Sequence, residues 1–560
     1  MKRMHDCIVI SDFNSGTFSG LLNNDPGSPE IKVVDTPFDQ VERVLTDPGM
    51  DCWKSKPDIA FVWTMPEKIS PSFGKAIDMG KTDINDVLED VDRYCAMVIA
   101  ASKRVKYMFH PAWLFLSGAK ASGLADMRHN SGVSDILMQM NLRLNKRLSE
   151  TDNIYVLDSQ KWVNAAGIKK AYNPKLWYMG KIAFGSEVFK AAVNDLKTAI
   201  VSLSGGSKKI IILDLDDTLW GGIVGDAGWE NITLGGHDGE GESFVDFQKS
   251  LLSLKNRGVL LAVVSKNEEK IALEAIEKHP EMRIKKSDLA GWRINWDDKA
   301  KNISELVSEL NLGLQSVVFI DDNPAERDRV RAALPEVLVP EWPDDKMLYK
   351  QALMSLNCFD TAVLSKEDLM RSEDYLRTKH RETLKKEAPS FEEWLKNLGL
   401  KVKIEEFGGA NAQRTVQLLN KTNQMNLSTR RMSQQEIEDW LKDGDRNMWV
   451  FSVSDRLGDS GLTGILSIEL DGEDARIVDF VLSCRVMGRH VEDVMLHKAV
   501  GYSRSVKALR LSAEYLETPK NKPCYNYFSG LRFFKMRGDK TFVLDLKGSF
   551  PAPDNIEVIG

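Results

Sequence analysis

A multidomain α/β protein is predicted by three features of the sequence. Short continuous apolar runs alternate with segments of helical periodicity, the pattern of a parallel sheet covered on both faces. The chain has 560 residues, too many for one core, so about three or four domains are expected. From about residue 400 shorter β-like runs appear, which set off a further domain at the C-terminal end.

The elements follow in order. In residues 1–203, Cys7–Ile10, Ile59–Val62 and Ile154–Leu157 read as buried strands. Asp83–Ser102 carries Ile84, Val87, Leu88 and Val91 at helical spacing. The small residues Ser204-Gly205-Gly206-Ser207 read as a linker. A second α/β domain is predicted over 207–343 and ends near Pro340-Glu341-Trp342-Pro343. A charged helical connector is expected over 344–395. The last domain, 396–560, has strand candidates at Met448–Val453, Gly461–Leu470 and Arg476–Ser483. No repeat or low-complexity tract interrupts this order.

Composition narrows the function classes. Hydrophobic residues make up 42% and charged residues 28%, an ordinary globular balance. The net charge of −7, with no basic stripe, argues against a nucleic-acid partner. No apolar stretch approaches the roughly 20 residues of a membrane span, so no membrane partner is expected. The six cysteines form no CxxC pair, and reduced thiols in the cytoplasm are the expectation.

Three strands of the middle domain end in chemistry. Ile210–Leu213 leads to Asp214-Leu215-Asp216-Asp217-Thr218, Val259–Val264 to Ser265-Lys266-Asn267, and Val317–Ile320 to Asp321-Asp322-Asn323. In open α/β sheets, ligands bind at the carboxyl ends of the strands. Carboxylates gathered there repel one another unless a cation intervenes. Mg²⁺ suits the set, because it takes one or two protein carboxylates and bridges to a phosphate. Lys299 offers a compensating positive charge, and Ser265 a hydroxyl for phosphate oxygens. An Asp beside Mg²⁺ is placed to attack phosphorus. A second acid two residues on is placed to move the proton.

These residues resemble the haloacid-dehalogenase (HAD) superfamily, with motif one in Asp214–Thr218, motif two in Ser265, motif three in Lys299 and motif four in Asp321-Asp322. More narrowly, Asp214–Gly222 (DLDDTLWGG), Ser265–Asn267 (SKN), Asn295-Trp296 and Phe319–Arg327 (FIDDNPAER) resemble the FkbH-like branch. The resemblance implies a central HAD-like Rossmannoid parallel sheet. It implies Asp214 as nucleophile and Asp216 as acid/base. Mg²⁺ would sit on Asp214, the Asp216 carbonyl, and Asp321 or Asp322. Only Trp220–Leu234 separates motif one from the next helix, so a small cap or none is expected.

The last domain resembles the GNAT acyltransferase fold, on Asn420–Arg431 (NKTNQMNLSTRR), Ser483–Glu492 (SCRVMGRHVE) and Thr518–Asn521 (TPKN). Arg485 and Gly488 match the loop that binds a pantetheine pyrophosphate, while His490 replaces its last Gly or Ala. The likeness implies phosphopantetheine, carried by a protein or by CoA, bound by Arg485, Gly488 and Asn521. Cys484 is either an acyl-carrying thiol or a small core residue. The first domain is similar to SGNH hydrolases, an α/β fold. Its first strand exits into Ser11-Asp12-Phe13-Asn14-Ser15, and Asn173–Tyr178 stands where an Asp-x-x-His would be. A structural or docking role is expected there.

FkbH-like proteins load a glyceryl group from 1,3-bisphosphoglycerate onto an acyl carrier protein thiol and remove phosphate. The resemblance implies that reaction, with a phosphorylated three-carbon substrate and an acyl carrier protein as partners. Two alternatives stand beside it: a plain HAD phosphatase on a small phosphate ester, and a non-catalytic scaffold that binds a carrier protein.

Overall fold

The computed structural model describes residues 4–34, 36–115, 123–236, 238–310, 312–361, 381, 384, 388–538, 540–548, 550–551 and 553–559. The chain divides into two compact units, Met1–Val201 and Ser202–Gly560, and the boundary falls just before the predicted linker. Among the described residues, no helix is long and apolar enough to cross a membrane. All six cysteines are free thiols.

The first unit is built on a five-stranded sheet of β1 (Met4–Ser11), β2 (Glu30–Val34), β3 (Ile59–Trp63), β4 (Tyr107–Pro111) and β5 (Ile154–Leu157). Their order is β2-β1-β3-β4-β5, and every pairing is parallel. Strands β3 and β4 are buried throughout, which is why β3 is continuously apolar rather than alternating and the one polar side chain of β4, His110, is hydrogen-bonded. The predicted helix forms as Ile84–Ser102, with the Asp83 side chain accepting the Asn85 N–H at its start. Its Val87, Val91 and Val98 share a core with Ile136, Met140 and Leu144 of the helix Val133–Leu148.

The second unit opens with a four-stranded parallel sheet: β6 (Ile210–Leu213), β7 (Leu260–Ser265), β8 (Leu289–Ile294) and β9 (Val317–Ile320), in the order β8-β7-β6-β9. The three predicted runs are β6, β7 and β9. Strand β8 has no continuous apolar run, because Gly291 and Arg293 interrupt it at the sheet edge. A Cβ at Gly291 would lie 2.8 Å from Leu306 Cδ1 of the helix packed on that strand, so that leucine would have to shift.

The core of this domain reaches past residue 343. Tyr349, Leu353 and Phe359 share one apolar cluster with Leu213, Trp220 and Trp342. The first part of the expected connector therefore packs on the parallel-sheet domain. Most of the remaining connector, 362–380 with 382–383 and 385–387, lies outside the described residues. The helix Phe391–Leu398 closes it, capped by Ser390 and ended by Gly399 in the left-handed region at φ +60°.

The remaining strands are β10 (Leu400–Glu406), β11 (Met425–Asn426), β12 (Arg446–Asp455), β13 (Gly458–Asp471), β14 (Asp474–Leu482), β15 (Arg510–Glu514), β16 (Lys535–Arg537), β17 (Thr541–Asp545) and β18 (Ile556–Ile559). Strands β10, β12, β13 and β14 pair antiparallel in sequence. Then β14 pairs β15 in parallel, and β15 pairs β17 antiparallel. The parallel β14–β15 pair between antiparallel neighbours fits the predicted GNAT-like α+β topology, and β18 adds a second parallel pairing at the edge, on β10. The long helix Val491–Ser505 follows β14 and supplies the crossover that a parallel pair requires.

Candidate functional site

The carboxyl ends of β6 and β9 bring the predicted acids together. Asp214 follows β6 directly, and its N–H donates to Ile320 O of β9 at 3.0 Å. Asp321 and Asp322 follow β9. Carboxylate oxygens of Asp214, Asp321 and Asp322 all lie within 4.8 Å of one another. Lys299, the first residue of the helix after β8, places Nζ 3.0 Å from Asp214 Oδ2 and 2.6 Å from Asp321 Oδ2. It is only 3% exposed, so its charge acts in a poorly screened setting. Burial works against the ammonium, but Asp214 and Asp321 outweigh it and raise the Lys299 pKa. Burial and the charge of Asp214 push the Asp321 and Asp322 carboxyls up.

One ammonium among three carboxylates leaves negative charge uncompensated. Asp214 Oδ1 is buried and has no hydrogen-bond partner, a costly state for a carboxylate oxygen unless something else meets it. A hard divalent cation with a phosphate fits this donor set. The two motif-four acids differ in what they have left to give. Asp321 is engaged at both oxygens, by Lys299 Nζ and by the Asn323 N–H at 2.9 Å. Asp322 accepts from Thr218 Oγ at 3.2 Å through Oδ1. Arg327 braces the turn by donating to the carbonyls of Asp321 and Asp322 at 2.9 and 2.6 Å.

Asp216 is held apart from that cluster. Its Oδ1 accepts from Trp220 Nε1 at 2.9 Å and from the Val224 N–H at 3.1 Å, and its Oδ2 accepts from Asn267 Nδ2 at 2.8 Å. Burial outweighs these stabilising donors and raises its pKa, as suits the acid/base role expected of it. Trp220 and Asn267 lie inside the motif strings noted from sequence, but no role was assigned to them. Asn267→Ala is expected to lower kcat for phosphate release by about tenfold to a hundredfold with little change in KM, because it frees an acid that must be aimed. Steady-state kinetics on a phosphate ester decide this, and an unchanged kcat refutes it.

The loop after motif one is pinned from a distance. Asp217 adopts φ +55°, its carboxylate pairs with Lys346, and its carbonyl accepts from Tyr349 OH at 3.0 Å. The short segment to the next helix forms a small flap in which Gly221 and Thr233 exchange both backbone hydrogen bonds at 2.9 and 2.8 Å. A Cβ on Gly221 would meet Thr233 Cβ at 2.9 Å, so only glycine passes. Ser265 ends β7, buried, with its carbonyl accepting the Asn295 N–H at 3.1 Å.

The predicted residues of the last domain lie elsewhere in the second unit. Cys484 is half-buried in the turn after β14. Arg485 lies against Ser483 Oγ, 3.4 Å from Nε. The Gly488 N–H, in a glycine at φ +69°, donates to Glu492 Oε1 at 2.7 Å. His490 is also left-handed, at φ +60°, and its ring pairs with Asp493. Asn521, expected to bind a cofactor, is fully buried and spent on the protein itself. Its Oδ1 accepts from Tyr515 OH and the Thr518 N–H at 2.7 and 2.8 Å. Its Nδ2 donates to Asn426 O and Leu516 O at 3.0 and 2.8 Å. No donor or acceptor remains for a ligand, and this corrects the expectation.

The carboxyl edge of the first unit's sheet holds a closed polar network. Trp113 Nε1 donates to Thr64 Oγ at 3.0 Å, Thr64 meets Tyr94 OH at 3.3 Å, and Tyr94 meets His110 Nε2 at 2.8 Å. His110 Nδ1 lies 2.7 Å from Pro111 O. Burial lowers the His110 pKa to about 4, so the ring is neutral and already committed. Asp12 accepts the Met65 N–H and is pushed up to about 7 by burial. Ser11 Oγ accepts from the Phe13 N–H at 3.2 Å. No base reaches Ser11 through these bonds. Ser11→Ala and the natural protein are expected to turn over an activated acetate ester equally, at the buffer rate. Turnover that Ser11→Ala removes would refute this.

Comparison with known proteins follows this geometry. Residues 26–197 match the family described as FkbH, N-terminal domain. The chain is also similar to the N-terminal part of the protein BF1531 from Bacteroides fragilis, whose crystal structure contains a phosphatase domain complexed with Mg. That likeness has 28% identity and a TM-score of 0.59, and covers 64% of this chain and 95% of that chain. An acetyltransferase of the GNAT family from Staphylococcus aureus overlaps 26% of this chain and 99% of its own, at 10% identity and a TM-score of 0.21. A likeness that slight carries no argument, and the GNAT-like topology rests on the strand order above. No curated relative matches the chain. The N-terminal match, the phosphatase-domain likeness and the carboxylate site agree: the chain carries an FkbH-type N-terminal domain, and its central domain resembles a Mg-binding phosphatase domain.

Proposed function

We propose that this chain is a Mg²⁺-dependent phosphatase that works through a covalent phosphoryl-aspartate on Asp214. The observation that carries this is the unpartnered, buried Asp214 Oδ1 beside Lys299, Asp321 and Asp322. An Asp214 oxygen attacks phosphorus, and the bond from phosphorus to the leaving oxygen breaks. Asp216 gives its proton to that leaving oxygen. Water then loses a proton to Asp216 as it attacks the phosphoryl-aspartate, which releases phosphate and restores both acids. Lys299 holds Asp214 in place through the 3.0 Å contact to its Oδ2. Bound Mg²⁺ supplies charge neutralisation on the phosphate oxygens. Asp214, the Asp216 carbonyl and Asp322 would hold it, with Asp322 preferred over Asp321, whose oxygens are engaged. Ser265 is assigned to the phosphate oxygens.

The finer reading is that the substrate is a phosphorylated three-carbon acid, 1,3-bisphosphoglycerate, and that the glyceryl group passes to an acyl carrier protein thiol as phosphate is removed. The FkbH likeness supports it. The carrier would present its thiol on phosphopantetheine, and Cys484 is the residue of this chain that could take the acyl group in transit. The first unit then serves as structure or as a docking domain of SGNH-like architecture, in a cytoplasmic protein. A second reading, a phosphatase without acyl transfer, is favoured by the spent amide of Asn521 and the occupied N–H of Gly488.

Incubation with Mg²⁺, 1,3-bisphosphoglycerate and a panel of holo carrier proteins tests both. Phosphate release with a glyceryl mass gain on a carrier supports the finer reading. Phosphate without any mass gain leaves the phosphatase alone. Chelation of divalent metal is expected to lower phosphate release by about a hundredfold or more, with recovery on adding Mg²⁺. Turnover that survives chelation refutes the metal assignment.

A further inference from the structure

The parallel pair β14–β15 stays hydrogen-bonded only from Asp474–Ile477 against Arg510–Ala513. Strand β14 runs on to Leu482, so its later residues leave β15. Two strands that part company expose N–H and C=O groups on facing edges, a template for any extended chain bearing amides. A pantetheine arm, with its two amides, is such a chain.

Here the opening is already filled from within the domain. Met425 and Asn426 pair antiparallel with Leu482 and Val481. The Leu427 N–H donates to Phe480 O at 3.2 Å, and the Leu516 N–H donates to Leu427 O at 3.0 Å. Residues 425–427 thus bridge the edge of β14 to the chain leaving β15. The polar motifs around them hold this bridge in place. Asn521 Nδ2 grips both Asn426 O and Leu516 O. Buried Asp479 accepts from Ser428 Oγ at 3.0 Å and from Arg430 Nε at 3.1 Å. Asn426 Oδ1 accepts the Thr429 N–H at 2.8 Å and its Nδ2 donates to Thr422 O at 3.1 Å. The loop that would take a pyrophosphate is likewise occupied, since Glu492 sets its carboxylate on the Gly488 N–H. Glu492 is only 6% exposed, and an anion arriving there would meet another.

We infer that the C-terminal domain is self-plugged: residues 425–427 and Glu492 use the sheet edge and the anion loop, so neither CoA nor a pantetheine arm binds along this opening. The two segments that resemble the acyltransferase family, Asn420–Arg431 and Thr518–Asn521, build the plug. A carrier thiol would then be served outside this opening. The inference does not rest on the phosphoryl site, whose residues the test below leaves untouched.

Calorimetric titration of the full chain with CoA, and separately with phosphopantetheine, is expected to give no saturable binding up to about 1 mM. Amide hydrogen exchange at Leu427 and Leu516 is expected to stay slow in the presence of either compound. Asn521→Ala is expected to speed exchange at these two amides by at least about tenfold, while amides of the β12–β13 pairing keep their protection. Saturable binding of either compound overturns the inference. So does fast exchange at Leu427 and Leu516 in the natural chain, or exchange that Asn521→Ala leaves unchanged.

Discussion

Asp214→Asn is expected to lower kcat for phosphate release by about a thousandfold or more, with the fold intact. An amide in place of the carboxylate keeps the shape but removes the nucleophile and one anionic contact to Lys299. Burial of the three acids depends on that ammonium, so loss of one negative charge is not expected to weaken the domain. Thermal melting should show a midpoint equal to or above that of the natural chain. The same loss from Asp321→Asn would be smaller, because that carboxylate is spent on Lys299 and the Asn323 N–H. Asp214→Asn with natural turnover would remove the basis for the proposed chemistry.

Lys299→Met is the second large effect, and it acts on stability as well as rate. Methionine keeps most of the stem volume, so the change isolates the charge. Asp214 and Asp321 would then lie buried without a cation, and breaking a buried pair by removing one partner costs about 3–5 kcal/mol. The melting midpoint is expected to fall by several degrees and to recover in part with Mg²⁺, which binds only the folded site. The linkage has a definite sign. The folded-state Lys299 pKa is raised, so this pairing is fully present at and below the ordinary lysine pKa. It is lost as pH rises through the raised value. Lys299→Met should therefore show its deficit across the neutral range. A midpoint unchanged by the substitution would mean that the ammonium holds nothing together.

Much of this was legible in the chain because strands buried on both faces announce themselves. Ile210–Leu213 and Val317–Ile320 are continuous apolar runs that stop at acids, and the sheet order puts their ends side by side. Strand β8 carries no continuous apolar signal because an edge strand tolerates Arg293 and because Gly291 lies against the packed helix. The reach of the core past residue 343 was hidden in a charged segment, where Tyr349, Leu353 and Phe359 are spaced among Lys and Gln. The pinning of Asp217 by Lys346 gives no local signal, since the pair is far apart in sequence.

The expectation that Asn521 binds a ligand fails for a different reason. Asn521 belongs to a motif that looks built for a ligand, and an Asn in a loop carries two donors and an acceptor. Only the fold reveals that Asn426 and Leu516 claim those groups. Glu492 shows the same limit. As the second residue of a helix it reads as a favourable first-turn acid, and its reach back to the Gly488 N–H depends on both left-handed residues before it.

Rapid quenching of a turnover reaction, followed by peptide mass spectrometry, tests the central claim most directly. A phosphoryl group is expected on the peptide that contains Asp214, present during turnover and gone when substrate is exhausted. With an acyl phosphate, whose carboxylate leaving group needs little protonation, Asp216→Asn should increase its amount by slowing the attack of water. Phosphate release with no phosphorylated peptide at any time, or a phosphoryl group on a peptide that lacks Asp214, would contradict the account.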